Sequence, residues 1–281
     1  MGRLKIVYPV CCGMDVHRDF LIACIAATNA QGVTEYQSRR FSTYTGSLRE
    51  LRDWLLANDC KDVCMESTGK YWFPVHNILE ESCHVVVSHP KFVKAIKGKK
   101  TDKKDAQWIA DLFKHDLVRG SFIPPKDIRQ LRDLCRYWVK LSSYMTGEKN
   151  RAQNCLTVSN FKLDDVFSNV FGKSASAITT QLLEHPGEQF DVAPFVDGRC
   201  KTPIAQIQEA VDGIFTYEQA EKLKIIRGHM DSLERHKAEL ESLILEIAQN
   251  YLPQIELLLT VPGIHDAFTA IRILAEIGQH D

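Results

Sequence analysis

The sequence predicts an α/β fold: a mixed sheet over residues 1–124, a long-helix region over 125–252, and the start of a further helical domain over 253–281. Two observations predict it. Short apolar segments alternate with turn and helix signals as far as Val87, and two long helical apolar seams run through the second half. A third bounds the class: no apolar run approaches the ~18 residues of a membrane span, Leu21–Ala27 being among the longest.

Val10–Val16 is mostly apolar and reads as the first strand, with Asp19 in a short turn. Phe20–Thr28 is an almost continuous apolar strand, and Asn29-Ala30-Gln31-Gly32 supplies turn residues. Val33–Phe41 alternates as a half-buried strand at the sheet's edge does. Ser47 followed by Glu50 forms a capping box, opening a helix through Leu48, Leu51, Trp54 and Leu55. Asp62–Glu66 is a short strand, Phe73–Glu81 a helix, and His84–Val87 another buried strand. Three strands, helix, strand, helix, strand is the ribonuclease H-like order, in which an antiparallel meander continues into parallel strands.

After Pro124-Pro125 the pattern changes. Ile128, Leu131, Cys135, Trp138 and Met145 predict one amphipathic helix from Asp127 to about Asn154, with Arg129, Arg132, Arg136 and Lys140 on another stripe that would serve nucleic-acid binding. Residues 161–213 are less periodic and read as a variable insert with some helix. A second long helix runs from about Tyr217 to Tyr251 through Leu223, Ile226, Met230, Leu233, Leu240, Ile244 and Ile247, with Pro253 ending it. The two seams suit an antiparallel coiled-coil arm or a homo-oligomer contact as well as packing within one chain. In the tail, Val261-Pro262-Gly263-Ile264 before a helical Ala267–Ile277 suggests a hairpin whose backbone N–H groups face a phosphate, or else a tight core turn.

Composition narrows the function. The chain has 281 residues, 44% of them hydrophobic and 25% charged, which excludes disorder, while 15 Gly and 10 Pro exclude low-complexity classes. Nine cysteines without a Cys-x-x-Cys pair indicate buried thiols in a reducing, cytoplasmic setting rather than a disulfide framework. Met1–Val10 reaches Asp15 too soon for a signal peptide. The net charge of −1 hides a basic run: Lys91, Lys94, Lys97, Lys99, Lys100, Lys103 and Lys104 against the single Asp102. Alone it could be a solvated loop; beside a carboxylate site it becomes a footprint for phosphates.

That site is suggested by four acids. Asp15 lies in the first strand, Glu66 ends the fourth, and Asp102 and Asp105 share one face of a helix that Thr101 caps and that runs to about His115. In this sheet order the first and fourth strands are neighbours, so Asp15 and Glu66 meet near the strand ends with the Asp102/Asp105 helix across them. Clustered carboxylates repel unless a cation neutralises them, and hard oxygen ligands suit Mg²⁺ or Mn²⁺. Two such ions ~4 Å apart can serve an in-line phosphoryl displacement. Each acid taken singly also has a plain structural explanation, Asp102 for instance as a first-turn acid favoured by the helix dipole. Tyr71 and Trp72 could stack on bases, Trp108 reads as core, and His17, His76, His84, His89 and His115 show no ligand spacing.

The strings Gly13-Met14-Asp15-Val16-His17, Glu66-Ser67-Thr68-Gly69-Lys70-Tyr71-Trp72 and Lys99-Lys100-Thr101-Asp102-Lys103-Lys104-Asp105-Ala106 resemble the DEDD transposases of the insertion sequence 110 family, relatives of the Piv DNA invertase. The resemblance extends to Val261-Pro262-Gly263-Ile264 and Ile273-Leu274-Ala275-Glu276-Ile277-Gly278. It implies a RuvC-like first domain whose catalytic, Mg²⁺-binding residues are Asp15, Glu66, Asp102 and Asp105, then a coiled coil, then a C-terminal transposase domain with a nucleophilic serine. It further implies a recombinase acting on element ends and target DNA under the guidance of a structured RNA.

The family's serine lies beyond the last of these motifs, whereas this sequence stops three residues after Gly278, and Ser67 stands too close to Glu66 to replace it. The expectation is a chain that binds metal and nucleic acid without completing strand exchange. Two other readings are a stand-alone junction nuclease using metal-activated water and a non-catalytic nucleic-acid-binding module. An actin- or sugar-kinase-like ATPase is disfavoured, because Val16-His17-Arg18-Asp19 stands where that class needs a glycine-rich turn.

Overall fold

The computed structural model describes residues 4–93 and 102–278. The chain divides into two compact units, with the boundary between Ile123 and Pro124. The first unit is built on five strands, β1 (Val10–Val16), β2 (Phe20–Thr28), β3 (Thr34–Ser42), β4 (Asp62–Glu66) and β5 (His84–Ser88). Helix α1 (Thr45–Ala57) connects β3 to β4, α2 (Trp72–Leu79) connects β4 to β5, and α3 (Pro90–Val93) and α4 (Asp102–Lys114) follow. The sheet order is β3-β2-β1-β4-β5. β1, β2 and β3 form an antiparallel meander, β4 is parallel to β1, and β5 is parallel to β4. This is the ribonuclease H-like order.

Two local details depart from expectation. β3 starts at Thr34, because Val33 closes the preceding turn: its carbonyl accepts the Asn29 N–H at 3.0 Å and its N–H donates to the Asn29 side chain at 2.9 Å. Ser47 is not a cap. The β2–β3 ladder runs on to Thr43, whose N–H donates to the Asp19 carbonyl, so α1 begins at once and Ser47 falls within its first turn. There its hydroxyl accepts the Ser42 N–H at 3.2 Å.

β1 and β4 are covered on both faces, which is why they read as nearly unbroken apolar runs. Cys12, Met14, Val16, Val63 and Met65 pack on Leu48, Leu51 and Leu55 of α1 and on Val75 and Leu79 of α2. Cys11, Ala26 and Cys64 on the other face pack on Ile109, Ala110 and Phe113 of α4. Full burial of one such leucine contributes ~1.5–3 kcal/mol. Among the described residues, which include all nine cysteines, no disulfide forms. Burial pushes the Cys11 and Cys64 thiols up to about 12, so they act as small hydrophobes.

The C-terminal end of α4 is clamped by a polar knot. The buried Lys114 ammonium lies 2.6 Å from Asp111 Oδ1, 3.1 Å from the Tyr36 hydroxyl and 3.4 Å from the Thr34 hydroxyl. Burial alone would lower the lysine pKa; the hydrogen bonds to Asp111 and Tyr36 outweigh it and the net shift is upward. A raised pKa means that this increment of stability is complete below the ordinary lysine range and is lost as pH rises through the folded-state value. Lys114→Met is expected to cost about 2 kcal/mol in urea unfolding, since it leaves Asp111 with the Tyr36 hydroxyl but no cation, and to remove that alkaline dependence.

The second unit is helical: α5 (Lys126–Val158), α6 (Leu163–Val166), α7 (Lys173–Glu184), α8 (Ile204–Ala210), α9 (Tyr217–Ala248), α10 (Leu252–Leu259) and α11 (Ala267–Ile277). The 33-residue α5 and 32-residue α9 run antiparallel, and their apolar seams meet within the chain. Two separate cores result. At one end Leu131, Cys135 and Leu141 pack on Leu233, Leu240, Ile244 and on α11. At the other, Cys155 and Leu156 pack on Leu223, Ile226 and the helices of the insert. Pro253 sits in the first turn of α10, where its missing N–H costs nothing, after α9 has already ended at Ala248. No helix among the described residues is long and apolar enough to cross a membrane.

Candidate active site

Strand alternation assigns the two faces of β1. Cys11, Gly13 and Asp15 share the α4 face, as Cys64 and Glu66 do on β4. The parallel register pairs Gly13 with Cys64 and Met14 with Met65, so Asp15 and Glu66 are the next residues of adjacent strands, which lie ~4.8 Å apart. They emerge where the two strands end.

Helix α4 runs antiparallel to β1. The Lys114 carbonyl accepts the Val7 and Tyr8 N–H groups, Cys11 Sγ contacts the Ala110 carbonyl, and Gly13 lies against Ala106 and Ala110. A Cβ on Gly13 would stand 2.3 Å from both the Ala106 oxygen and the Ala110 nitrogen, so glycine is what lets the helix backbone touch the strand. The contact brings the first turn of α4, with the half-buried Asp105, to the end of β1 that carries Asp15. Helix N-termini carry a partial positive charge, which favours carboxylates there.

Two neighbours fix the acids. His17 Nε2 lies 3.2 Å from Asp15 Oδ2, and the Thr68 hydroxyl donates to Glu66 Oε1 at 3.3 Å. Neither was picked out as a site residue from sequence; the alternation Asp15-x-His17, which keeps both side chains on one face, was the available signal. Among the described residues no three acidic, histidine or cysteine side chains close into a ready metal shell. The donor chemistry nevertheless fits Mg²⁺ or Mn²⁺: the described acids are hard carboxylate oxygens, and Mg²⁺ typically takes only one or two from protein, filling the rest with water and substrate phosphate.

The basic residues divide. Lys91 on α3 and Lys104 in the first turn of α4 are exposed. Lys94, Lys97, Lys99, Lys100 and Thr101 lie outside the described residues, as do the side chains of Asp102 and Lys103. On α5, Lys140 is exposed, but its stripe is largely engaged within the chain. Arg129 donates to the Pro124 carbonyl at 2.9 Å. Arg132 donates to the Ala275 carbonyl at 2.7 Å and the Glu276 carbonyl at 3.2 Å, satisfying the end of α11. Arg136 makes a two-pronged pair with the Glu276 carboxylate, both bonds 2.8 Å, and holds that carboxyl below its usual range. Arg132 and Arg136 thus serve the end of α11, whose last carbonyls need donors. The α10–α11 turn also departs from the phosphate-presenting hairpin, because the Asp266 carboxylate accepts the Thr269 N–H at 2.8 Å and occupies the start of α11. Tyr71 is exposed, Trp72 is buried and stacked on Phe73 at 3.9 Å, and Trp108 is half-buried.

Residues 12–160 match the family model of the IS110-type DEDD transposases, described as "Transposase". No curated protein matches the chain. Among solved structures, the chain is similar to Thermus thermophilus RuvC, with 14% identity over 40% of this chain and 99% of that one and a TM-score of 0.33. It is also similar to T. thermophilus RuvC in complex with a Holliday junction substrate (13% identity, 40% of this chain, 99% of that one, TM-score 0.30). A third similar structure is the Fowlpox virus resolvase in complex with Holliday junction DNA (14% identity, 37% of this chain, 72% of that one, TM-score 0.25).

Proposed function

This chain belongs to the IS110-type DEDD transposase family, and we propose that it is a metal-dependent DNA recombinase of an insertion sequence, guided by a structured RNA. The matched segment spans Asp15, Glu66, Asp102 and Asp105. The observation that carries the reading is the Gly13 contact, which seats the first turn of α4 over the strand ends that hold Asp15 and Glu66. These four acids would hold Mg²⁺ or Mn²⁺, and the ion when bound neutralises charge on the attacking and leaving oxygens of a phosphodiester.

The chain's own groups do the rest. His17 fixes the orientation of Asp15, and Thr68 that of Glu66. The basic run from Lys91 to Lys104 offsets phosphate charge on the approach to α4, and Lys140 adds a basic site on the second unit. Asp102 and Asp105 stand three residues apart in the sequence, and neutralising both should remove metal without removing the phosphate contacts. With Asp102→Asn/Asp105→Asn, Mn²⁺ affinity read by electron paramagnetic resonance is expected to fall at least 10-fold while binding of branched DNA in EDTA persists. Unchanged Mn²⁺ affinity would sink the metal-dependent reading.

A further inference from the structure

On the same face as the carboxylates, the sheet continues away from Glu66 into a row that the acids do not use. The register pairs Asp15 with Ile22, and Ile22 with Arg40. Arg40 thus lies in line with Asp15, two strands further on, ~10 Å away at the usual strand spacing. In the next row, the His17 N–H donates to the Phe20 carbonyl at 2.9 Å, and the two rings lie 4.7 Å apart. The Arg40 guanidinium carbon stands 4.0 Å over the Phe20 ring, and His17 reaches back to Asp15. A continuous path of contacts therefore joins Arg40 to Asp15 through Phe20 and His17.

Arg40 is exposed and makes no ion pair among the described residues. A guanidinium stacked on a ring keeps its in-plane N–H donors available and loses less freedom when it binds an anion. Its neighbour Arg39 offers an internal contrast. Arg39 has the same charge and is also exposed, but it alternates to the opposite face, where it lies over Phe41.

We propose that Arg40, held over Phe20, is a contact for a backbone phosphate of the DNA strand that enters the carboxylate site. The inference rests on the recombinase reading above and extends it, giving that site a defined direction of approach across β1, β2 and β3.

The test measures binding of four-way-junction DNA by the full chain over a series of KCl concentrations in EDTA, for the unmodified protein, Arg40→Gln and Arg39→Gln. Arg40→Gln is expected to bind about 10-fold more weakly at low salt and to reduce the slope of log affinity against log salt by about 0.9. Arg39→Gln should match the unmodified chain, and all three should share one melting temperature and one Mn²⁺ affinity. Equal losses in the two variants, or an unchanged slope in Arg40→Gln, overturn the assignment while leaving the recombinase reading in place. Failure of the unmodified chain to bind the junction overturns both.

Discussion

Gly13→Ala is expected to destabilise the first unit by about 3 kcal/mol, the upper end of what overpacking typically costs. The new methyl would stand 2.3 Å from two backbone atoms of α4, the Ala106 oxygen and the Ala110 nitrogen, and 2.9 Å from the Ile109 carbonyl carbon. Backbone cannot swing aside as a flexible side chain can, so the whole helix has to lift. Lifting it takes Asp105 away from Asp15, so Mn²⁺ affinity should fall with stability. Gly228 of α9 provides the opposite case: nothing lies within 4 Å of its added Cβ, and Gly228→Ala should stabilise by ~0.5–1 kcal/mol. Urea unfolding of both variants checks the contrast. A Gly13→Ala midpoint equal to that of the unmodified chain would mean that α4 does not need the close approach.

Neutralising the two strand-end acids together should abolish the metal's effect on stability. Without metal, Asp15 and Glu66 place two carboxylates on adjacent strand ends, and neutralising both removes their mutual repulsion, so Asp15→Asn/Glu66→Gln is expected to melt higher, by about 1 kcal/mol. With Mg²⁺ at 100 times its Kd, the unmodified chain gains ~2.7 kcal/mol and overtakes the variant, which gains almost nothing. Thermal melts with and without Mg²⁺ give all four numbers. A variant still stabilised by Mg²⁺ to the same extent would exclude these carboxylates as ligands.

Much of the first unit was legible because its information is local. Apolar runs bounded by Asn29–Gly32 and by Asp62 mark strands, and the element order then limits the sheet to few topologies. β3 starts one residue later than its pattern suggests, because Val33 looks like a strand residue while its backbone serves the turn. Ser47 looked like a cap because the spacing to Glu50 fits, yet the cap position was already determined by the ladder bond of Thr43. Pairings distant in sequence were harder to read. The Arg132 and Arg136 stripe reads as basic surface until α11 arrives, 140 residues later, with carbonyls and a carboxylate to satisfy. Arg40 gains meaning only from two successive strand registers, and no local pattern in β3 distinguishes it from Arg39.

The paired α5 and α9 extend for ~50 Å, by the helical rise, and their buried residues fall into two separate cores, with the half-buried Met145 and Met230 between them. Such a rod has a waist. Heating should melt its ends in two calorimetric steps instead of one cooperative event, and trimming the insert should erase the step belonging to one end while the other keeps its own temperature.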